Sequence, residues 1–238
     1  MKIRTIILAA LFIGLSPVTH AEFVGNITIG TPANSADPSA LPPGVANPEK
    51  VDVVLQNADA LLRNTANPVG GNPNGKISIV EFFDYQCSHC IATSPTIVAT
   101  LKANKDVRIV YMEFPLGSSI SNFAARAALA AQKQGKYVEF HDAIMRSGLG
   151  LTQDKVMAIA KTVGLDTAKL TTDMNDSSVA DMLKANYKLA QALGITGTPV
   201  VIVAPTNLTK TSPKNGVFYI LGRPDYIYLQ SLLGKVSA

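Results

Sequence analysis

Residues 81–91 read EFFDYQCSHCI, and Cys87 and Cys90 are the only two cysteines of the 238-residue chain. Three positions apart, with Ser88 and His89 between, they are a structural staple, a metal clip or a working redox pair. The flanking chain bears on the choice. ISIVEFF (77–83) is β-rich and apolar on both faces, as a central buried strand is. A helical pattern follows from the cysteines to about Asn104, and VRIVYMEF (107–114) is a second strand. One helix between two strands makes a βαβ unit with a parallel pair and a right-handed crossover.

Farther out, strand signals vanish between Gly117 and Gly194. SNFAARAALAAQKQG, YVEFHDAIMRSG, TQDKVMAIAKTVG and DMLKANYKLAQALG each carry helical spacing and stop at Gly. Strands return as PVVIVA (199–204) and GVFYILG (216–222), and a last helix spans about Pro224 to Leu233. The order is βαβ, a helical insert over 117–194, then ββα. This is an α/β domain in two halves, 67–116 and 195–238, with a helical domain between them.

The N-terminus sets the compartment. MKIRTIILAALFIGLSPVTHA (1–21) has Lys2 and Arg4, an apolar run from Ile6 to Leu15, and small residues before a cleavage point at Ala21. This is the pattern of a secretory signal, and the run is about half of the ~20 residues that span a bilayer. The expectation is a mature exported chain starting near Glu22, in a periplasm or with an outer-surface association, where disulfides form and persist. Without Lys2 and Arg4 the mature chain has 19 basic against 17 acidic side chains, so its net charge of +2 does not suggest nucleic acid as a partner. At 47% apolar residues the chain builds a core without a disulfide framework.

Residues 22–66 form an N-terminal arm and helix. FVGNITIG (23–30) is a short strand candidate, and Pro32, Pro38, Pro42 and Pro43 break any period after it. In PEKVDVVLQNADALLRN (48–64), Val51, Val54, Leu55, Ala58, Leu61 and Leu62 make one apolar stripe on a helix opened by Asn47 and Pro48. The stripe packs either on its own domain or, lacking an obvious neighbour in the chain, on a second copy as a homodimer. NPVGGNPNG (67–75) is a turn-rich boundary.

A first cysteine at a helix start faces unpaired backbone N–H groups and the positive end of the helix dipole, which stabilises a thiolate. With Asp84 to Gln86 as the turn, Cys87 takes that place, exposed and reactive. Cys90 lies one turn inside, shielded. His89 adds positive charge when protonated and N–H donation, lowering the Cys87 pKa below its free value of ~8.5. As a staple, so small a loop removes only about 2 kcal/mol of unfolded-state entropy, against roughly 3 for a 15-residue loop. Zinc needs about four ligands, and the mature chain adds only His89 and His141 to the thiolates, in no metal-binding spacing. Covalent haem needs His directly after Cys90, where Ile91 stands. A Cys hydrolase leaves the second cysteine unexplained. No metal or cofactor is expected. Alternation along 77–83 also puts Glu81 on the face of Ile77, Ile79 and Phe83, where a carboxylate needs a reason such as taking the Cys90 proton or simply reaching water at the sheet end.

EFFDYQCSHC after a buried strand, a helical insert and then GTPVVIV (197–203) resembles the DsbA-type thiol:disulfide oxidoreductases of the thioredoxin fold, over roughly residues 67–235. LLRNTANPVGGNPNGKISIVEFFDYQC (61–87) resembles the Com1-like branch, whose members tend to carry an extra oligomerising N-terminal segment. The resemblance implies that Pro199 is a cis-proline facing the cysteines and leaving nearby backbone free for substrate peptide. It sets Thr198 beside Cys87, matches Glu81 to a buried acid beneath the pair, and matches Pro95 to a helix kink. The departure is Ser88, where the best-known members have Pro.

The activity implied is protein disulfide exchange, as oxidase and also isomerase, on unfolded or misfolded exported proteins. The partners implied are a DsbB-like reoxidase, a DsbD-like reductase, or both. A competing reading is a substrate-binding chaperone whose cysteines are incidental.

Overall fold

The computed structural model describes residues 46–236; the signal (1–21), the arm (22–45) and its strand candidate lie outside the described residues. After a 3-10 turn at Pro48–Lys50 come helices α1 (Val51–Gln56) and α2 (Ala58–Leu62). Then follow strands β1 (Val69–Gly71) and β2 (Ile77–Phe83), helix α3 (Ser88–Ala103) and strand β3 (Val107–Glu113). Helices α4 (Ser119–Gln132), α5 (Tyr137–Arg146), α6 (Gln153–Thr162), α7 (Thr167–Asp173) and α8 (Ser177–Ala192) form the insert. Strands β4 (Val200–Pro205) and β5 (Phe218–Leu221) and helix α9 (Tyr226–Val236) close the fold.

The strands make one mixed sheet in the order β1-β3-β2-β4-β5. β2 and β3 are parallel, as the βαβ reading requires, while β4 runs antiparallel to β2, and β5 to β4. Every residue of β2 is buried, which explains why the strand is apolar on both faces apart from Ser78 and Glu81. On one face Ile77, Ile79 and Phe83 join Cys90 and Ile97 of α3, the alanines of α4 and residues of α5 to α9 in one cluster. On the other face Val80 and Phe82 meet α1, α2 and the end of α8 through Leu189, Ala190 and Leu193. The insert and the Cys90 face of the sheet thus share one buried cluster.

Two elements escaped the sequence reading. β1 lies inside the segment read as a boundary, pairing antiparallel with the outer edge of β3. It is Gly-rich because a Cβ at Gly71, where φ is +72°, would come within 2.7 Å of the Val107 carbonyl. α7 is short and buries Leu170 alone, although Asp166 caps it by accepting from the Lys169 N–H at 2.9 Å.

The expectation that changes most is the N-terminal helix. It is broken at Asn57 (φ −108°, ψ 14°), whose side chain donates back to the Val53 carbonyl at 2.8 Å. Its whole stripe, from Val51 to Leu62, is buried against β2, β3 and α8 of the same chain. Polar contacts hold it there: Arg108 of β3 donates to the Leu62 carbonyl at 2.6 Å, and Arg63 to the Leu208 carbonyl at 2.7 Å. The premise of an uncovered stripe, on which pairing with a second copy rested, is corrected. The sheet has two apolar faces, and α1 and α2, with the end of α8, cover the one opposite the cysteines.

Candidate active site

β2 ends at Phe83 and the chain turns at Asp84 to Gln86, with the Cys87 N–H donating to the Asp84 carbonyl at 3.2 Å. The buried Asp84 carboxylate holds this turn together. It accepts from the Gln86 N–H, the Leu116 N–H and the Ser121 hydroxyl, each at 2.6 Å, tying the turn to the loop after β3 and to α4.

Cys87 is the N-cap of α3, in extended conformation (φ −85°, ψ 114°), and its sulfur accepts from the Cys90 N–H at 3.3 Å. The thiol is lowered from 9.0 to about 5, chiefly by a hydrogen bond from the Cys90 thiol and further by Thr198 and the N–H groups of Cys90 and His89, against the opposing effect of burial. Its sulfur also lies 3.4 Å from the Thr198 carbonyl, an acceptor for the thiol in its protonated form. Cys90 is fully buried, and burial pushes its thiol far up, with the hydrogen bond to Cys87 and the charge of Glu81 adding to the effect. One sulfur is thus a half-buried nucleophile and leaving group, the other a shielded thiol.

The remaining candidates fall around this pair. The Thr198–Pro199 bond is cis, and Pro199 accepts from the Gly222 N–H at 2.8 Å at the mouth of the β4–β5 hairpin. Glu81 is 2% exposed, on the Cys90 side of the sheet, and pushed up to about 8 by burial and by the charge of Cys87. His89 is exposed, and what it supplies to Cys87 is its backbone N–H. Pro95 lies inside α3. An open cavity of about 720 Å³, lined by Lys76, Asp106 and Thr206, sits at the starts of β2 and β3, away from the cysteines.

Sequence reasoning missed a second buried polar group beside the turn. Glu113, at the end of β3 and 1% exposed, accepts at Oε1 from the hydroxyls of Tyr85 (2.9 Å) and Tyr137 (2.7 Å). Tyr85 lies in the active-site turn and Tyr137 on α5. With the Tyr85 proton directed at Glu113, the 3.0 Å contact between Tyr85 Oη and His141 Nδ1 makes the imidazole the donor. Burial depresses His141 to about 3, so it is neutral. The signal for Glu113 was available: a lone acid in VRIVYME is the same anomaly that singled out Glu81.

Comparison with known proteins agrees with this geometry. The chain is 28% identical over 144 residues to the thiol:disulfide interchange protein DsbA of Pseudomonas aeruginosa, covering 58% of this chain and 68% of that one. It is 26% identical over 137 residues to Na(+)/H(+) antiporter NhaA 3 of Salinispora tropica, where the match covers 57% of this chain but only 21% of the antiporter's length. The crystal structure of a thioredoxin-like oxidoreductase from Silicibacter pomeroyi superposes with a TM-score of 0.65 at 36% identity, covering 75% of this chain and 96% of that one. The family model for the DSBA-like thioredoxin domain matches residues 78–214, more than half of the chain. A strand, a turn and a helix that present Cys87 and shield Cys90, facing Thr198 and Pro199, are what this match spans, and the chain belongs to the DSBA-like family of thioredoxin-superfamily thiol:disulfide oxidoreductases.

Proposed function

We propose that the protein is an exported thiol:disulfide oxidoreductase that exchanges disulfides with exported proteins through Cys87 and Cys90, with Thr198 and Pro199 lining the place where substrate backbone binds. The observation that carries this reading is the asymmetry of the pair: a Cys87 thiolate stabilised at a helix start, above a Cys90 thiol that burial keeps protonated. In the oxidised protein a substrate thiolate attacks the Cys87 sulfur. The Cys87–Cys90 bond breaks, a Cys87–substrate disulfide forms, and Cys90 leaves as a thiolate that takes a proton from Glu81. A second substrate thiolate then attacks the substrate sulfur, and Cys87 departs as its stable thiolate. Two electrons have passed from the substrate dithiol to the cysteine pair. A low-pKa leaving thiol speeds this release and favours the reduced pair, which makes the protein an oxidant.

Run from the reduced state, the same steps break and reshuffle disulfides, so isomerase action belongs to the proposal. The signal-like pattern of residues 1–21 supports a periplasmic location, and a DsbB-like reoxidase or a DsbD-like reductase returns the pair to its working state. A homodimer through the N-terminal region, 22–66, belongs to the same proposal; with the stripe of α1 and α2 covered within the chain, its test is removal of residues 22–45. The test compares the wild type with Cys87→Ala in oxidising a reduced peptide and in reactivating scrambled ribonuclease. Both activities are expected to vanish in the variant, and survival of both returns the reading to a chaperone with incidental cysteines. Thiol trapping in cells gives the direction, since a mostly oxidised pair marks an oxidase and a mostly reduced one an isomerase.

A further inference from the structure

The exchange steps use one buried carboxyl, Glu81, yet the same face of the sheet carries a second, Glu113, besides Asp84 in the turn. In the parallel register Glu81 lies opposite Tyr111 and Phe83 opposite Glu113, so Glu113 sits on the next strand, on the same face, two residues nearer the active-site end. Strands about 4.8 Å apart with a rise of about 3.3 Å per residue put the two Cβ atoms roughly 8 Å from each other. Among the described residues neither carboxyl takes part in an ion pair. The titratable groups facing Glu113 are Glu81 from β2, Asp84 and Tyr85 from the turn, Tyr111 from its own strand, and Tyr137 and His141 from α5. From α8 the uncharged Asn186 donates to the Glu113 carbonyl at 3.2 Å, and the Tyr187 hydroxyl donates to the Pro115 carbonyl. His141 is neutral, so these groups hold no cation to offset a second negative charge.

Two like charges in such a layer cannot ionise independently. Burial pushes both carboxyls up to about 8. They differ in their partners: two tyrosine hydroxyls favour the charged form of Glu113 against the charges of Asp84 and Glu81, whereas the charge of Cys87 opposes ionisation of Glu81, and on its two donors Glu113 is taken as the first to ionise. We propose that Glu113 is a positioning residue acting through Glu81: the two carboxyls form a coupled acid pair, and ionisation of Glu113, held by Tyr85 and Tyr137, sets the pH at which Glu81 can take the Cys90 proton. The inference rests on the exchange reading and deepens it. In the step concerned, the Cys90 proton passes to the Glu81 carboxylate and the Cys90 thiolate attacks the Cys87 sulfur of a mixed disulfide. The Cys87–Cys90 bond forms and the other sulfur leaves as a thiolate. A Glu81 kept protonated by its charged neighbour disfavours this direction and favours its reverse, in which Glu81 protonates the departing Cys90.

The experiment follows that step directly. The protein is loaded with glutathione on Cys87, and release of the tripeptide by Cys90 is timed between about pH 5.5 and 9.5, across the range where both acids titrate. Glu113→Gln is expected to move the inflection down by about 1.5 pH units, the size of the repulsion between charges roughly 8 Å apart at an effective dielectric constant of about 20. Glu81→Gln should remove the inflection. Alkylation of Cys87, which titrates where Glu113 is neutral, should keep its wild-type pH profile in Glu113→Gln. A merely structural loss would lower rates or disturb the Cys87 profile without moving the release inflection, and that result overturns the inference. Tyr137→Phe removes one donor to Glu113 while leaving the Tyr85 bond, and should shift the inflection in the same direction by less. It carries the test should Glu113→Gln not fold. If the wild type releases no glutathione at any pH, the exchange reading itself falls; if it does so with an inflection indifferent to both variants, only the coupling does.

Discussion

In Cys87 the reactive atom and the capping atom of a helix are the same sulfur, so the fold's need to satisfy an unpaired N–H becomes the site's means of holding a thiolate. Because the folded thiol is lowered from 9.0 to about 5, alkylation of the reduced protein should show an inflection near pH 5, absent in Cys87→Ala. The stability consequence has a definite sign. A depressed pKa contributes stability that is complete above the unfolded value and lost as pH falls through the folded one. In urea unfolding under reducing conditions, the gap between wild type and Cys87→Ala should widen from about pH 5 to 9, and a gap constant over that range would refute a fold-stabilised thiolate. Glu81 was legible from alternation in a single strand, whereas the network of Glu113, Tyr85, Tyr137 and His141 joins a strand, a turn and an insert helix far apart in the chain. Residue 113 could be flagged from sequence, but its partners could not.

Among the elements, α1 and α2 show what periodicity can and cannot say. The stripe from Val51 to Leu62 was readable, because apolar spacing of three and four is a local property. What covers it is not local: β2 and β3 present a second apolar face, and the end of α8 arrives from more than a hundred residues away. Leu61 is 1% exposed in that layer, so Leu61→Ala should lower stability by about 2–5 kcal/mol, read as a loss of urea midpoint, with the Cys87 alkylation profile unchanged. A loss below about 0.5 kcal/mol, the size of an ordinary surface substitution, would mean that this stripe is not packed as described. β1 and α7 escaped notice for the same reason in opposite guises. Three residues of strand and one buried leucine are too little pattern to stand out, and each gains its definition from a neighbour, the edge of β3 or the face of α4.

Taken together, the insert and the sheet are one hydrophobic unit. Ala124, Ala127 and Ala128 of α4 lie in the same cluster as Ile79, Phe83 and Cys90, and Asp84 bonds across from the active-site turn to α4. The small side chains of α4 allow close approach, and the insert thereby buttresses the turn that carries Cys87. With the α1–α2 stripe covered, a protein beginning at residue 46 is expected to scatter light as a monomer. A doubled mass, where the mature chain shows one, should disappear when residues 22–45 are removed. A dimer that persists without them would show that one of the described surfaces pairs.

Read alone, the amino-acid sequence was sufficient for the βαβ and ββα halves, the helical nature of the insert, and the asymmetry between Cys87 and Cys90. Each of these depends on near-neighbour periodicity or on the position of a residue at the start of a helix. The assignment of α1 and α2 to the open face of the sheet, the cis state of Thr198–Pro199 opposite the cysteines, and the meeting of Glu113 with Tyr85 and Tyr137 required the folded chain. Burial of a stripe, the partner of a buried acid and the orientation of a loop against a site are all set by contacts between segments distant in sequence, and no local pattern encodes which distant segment will arrive.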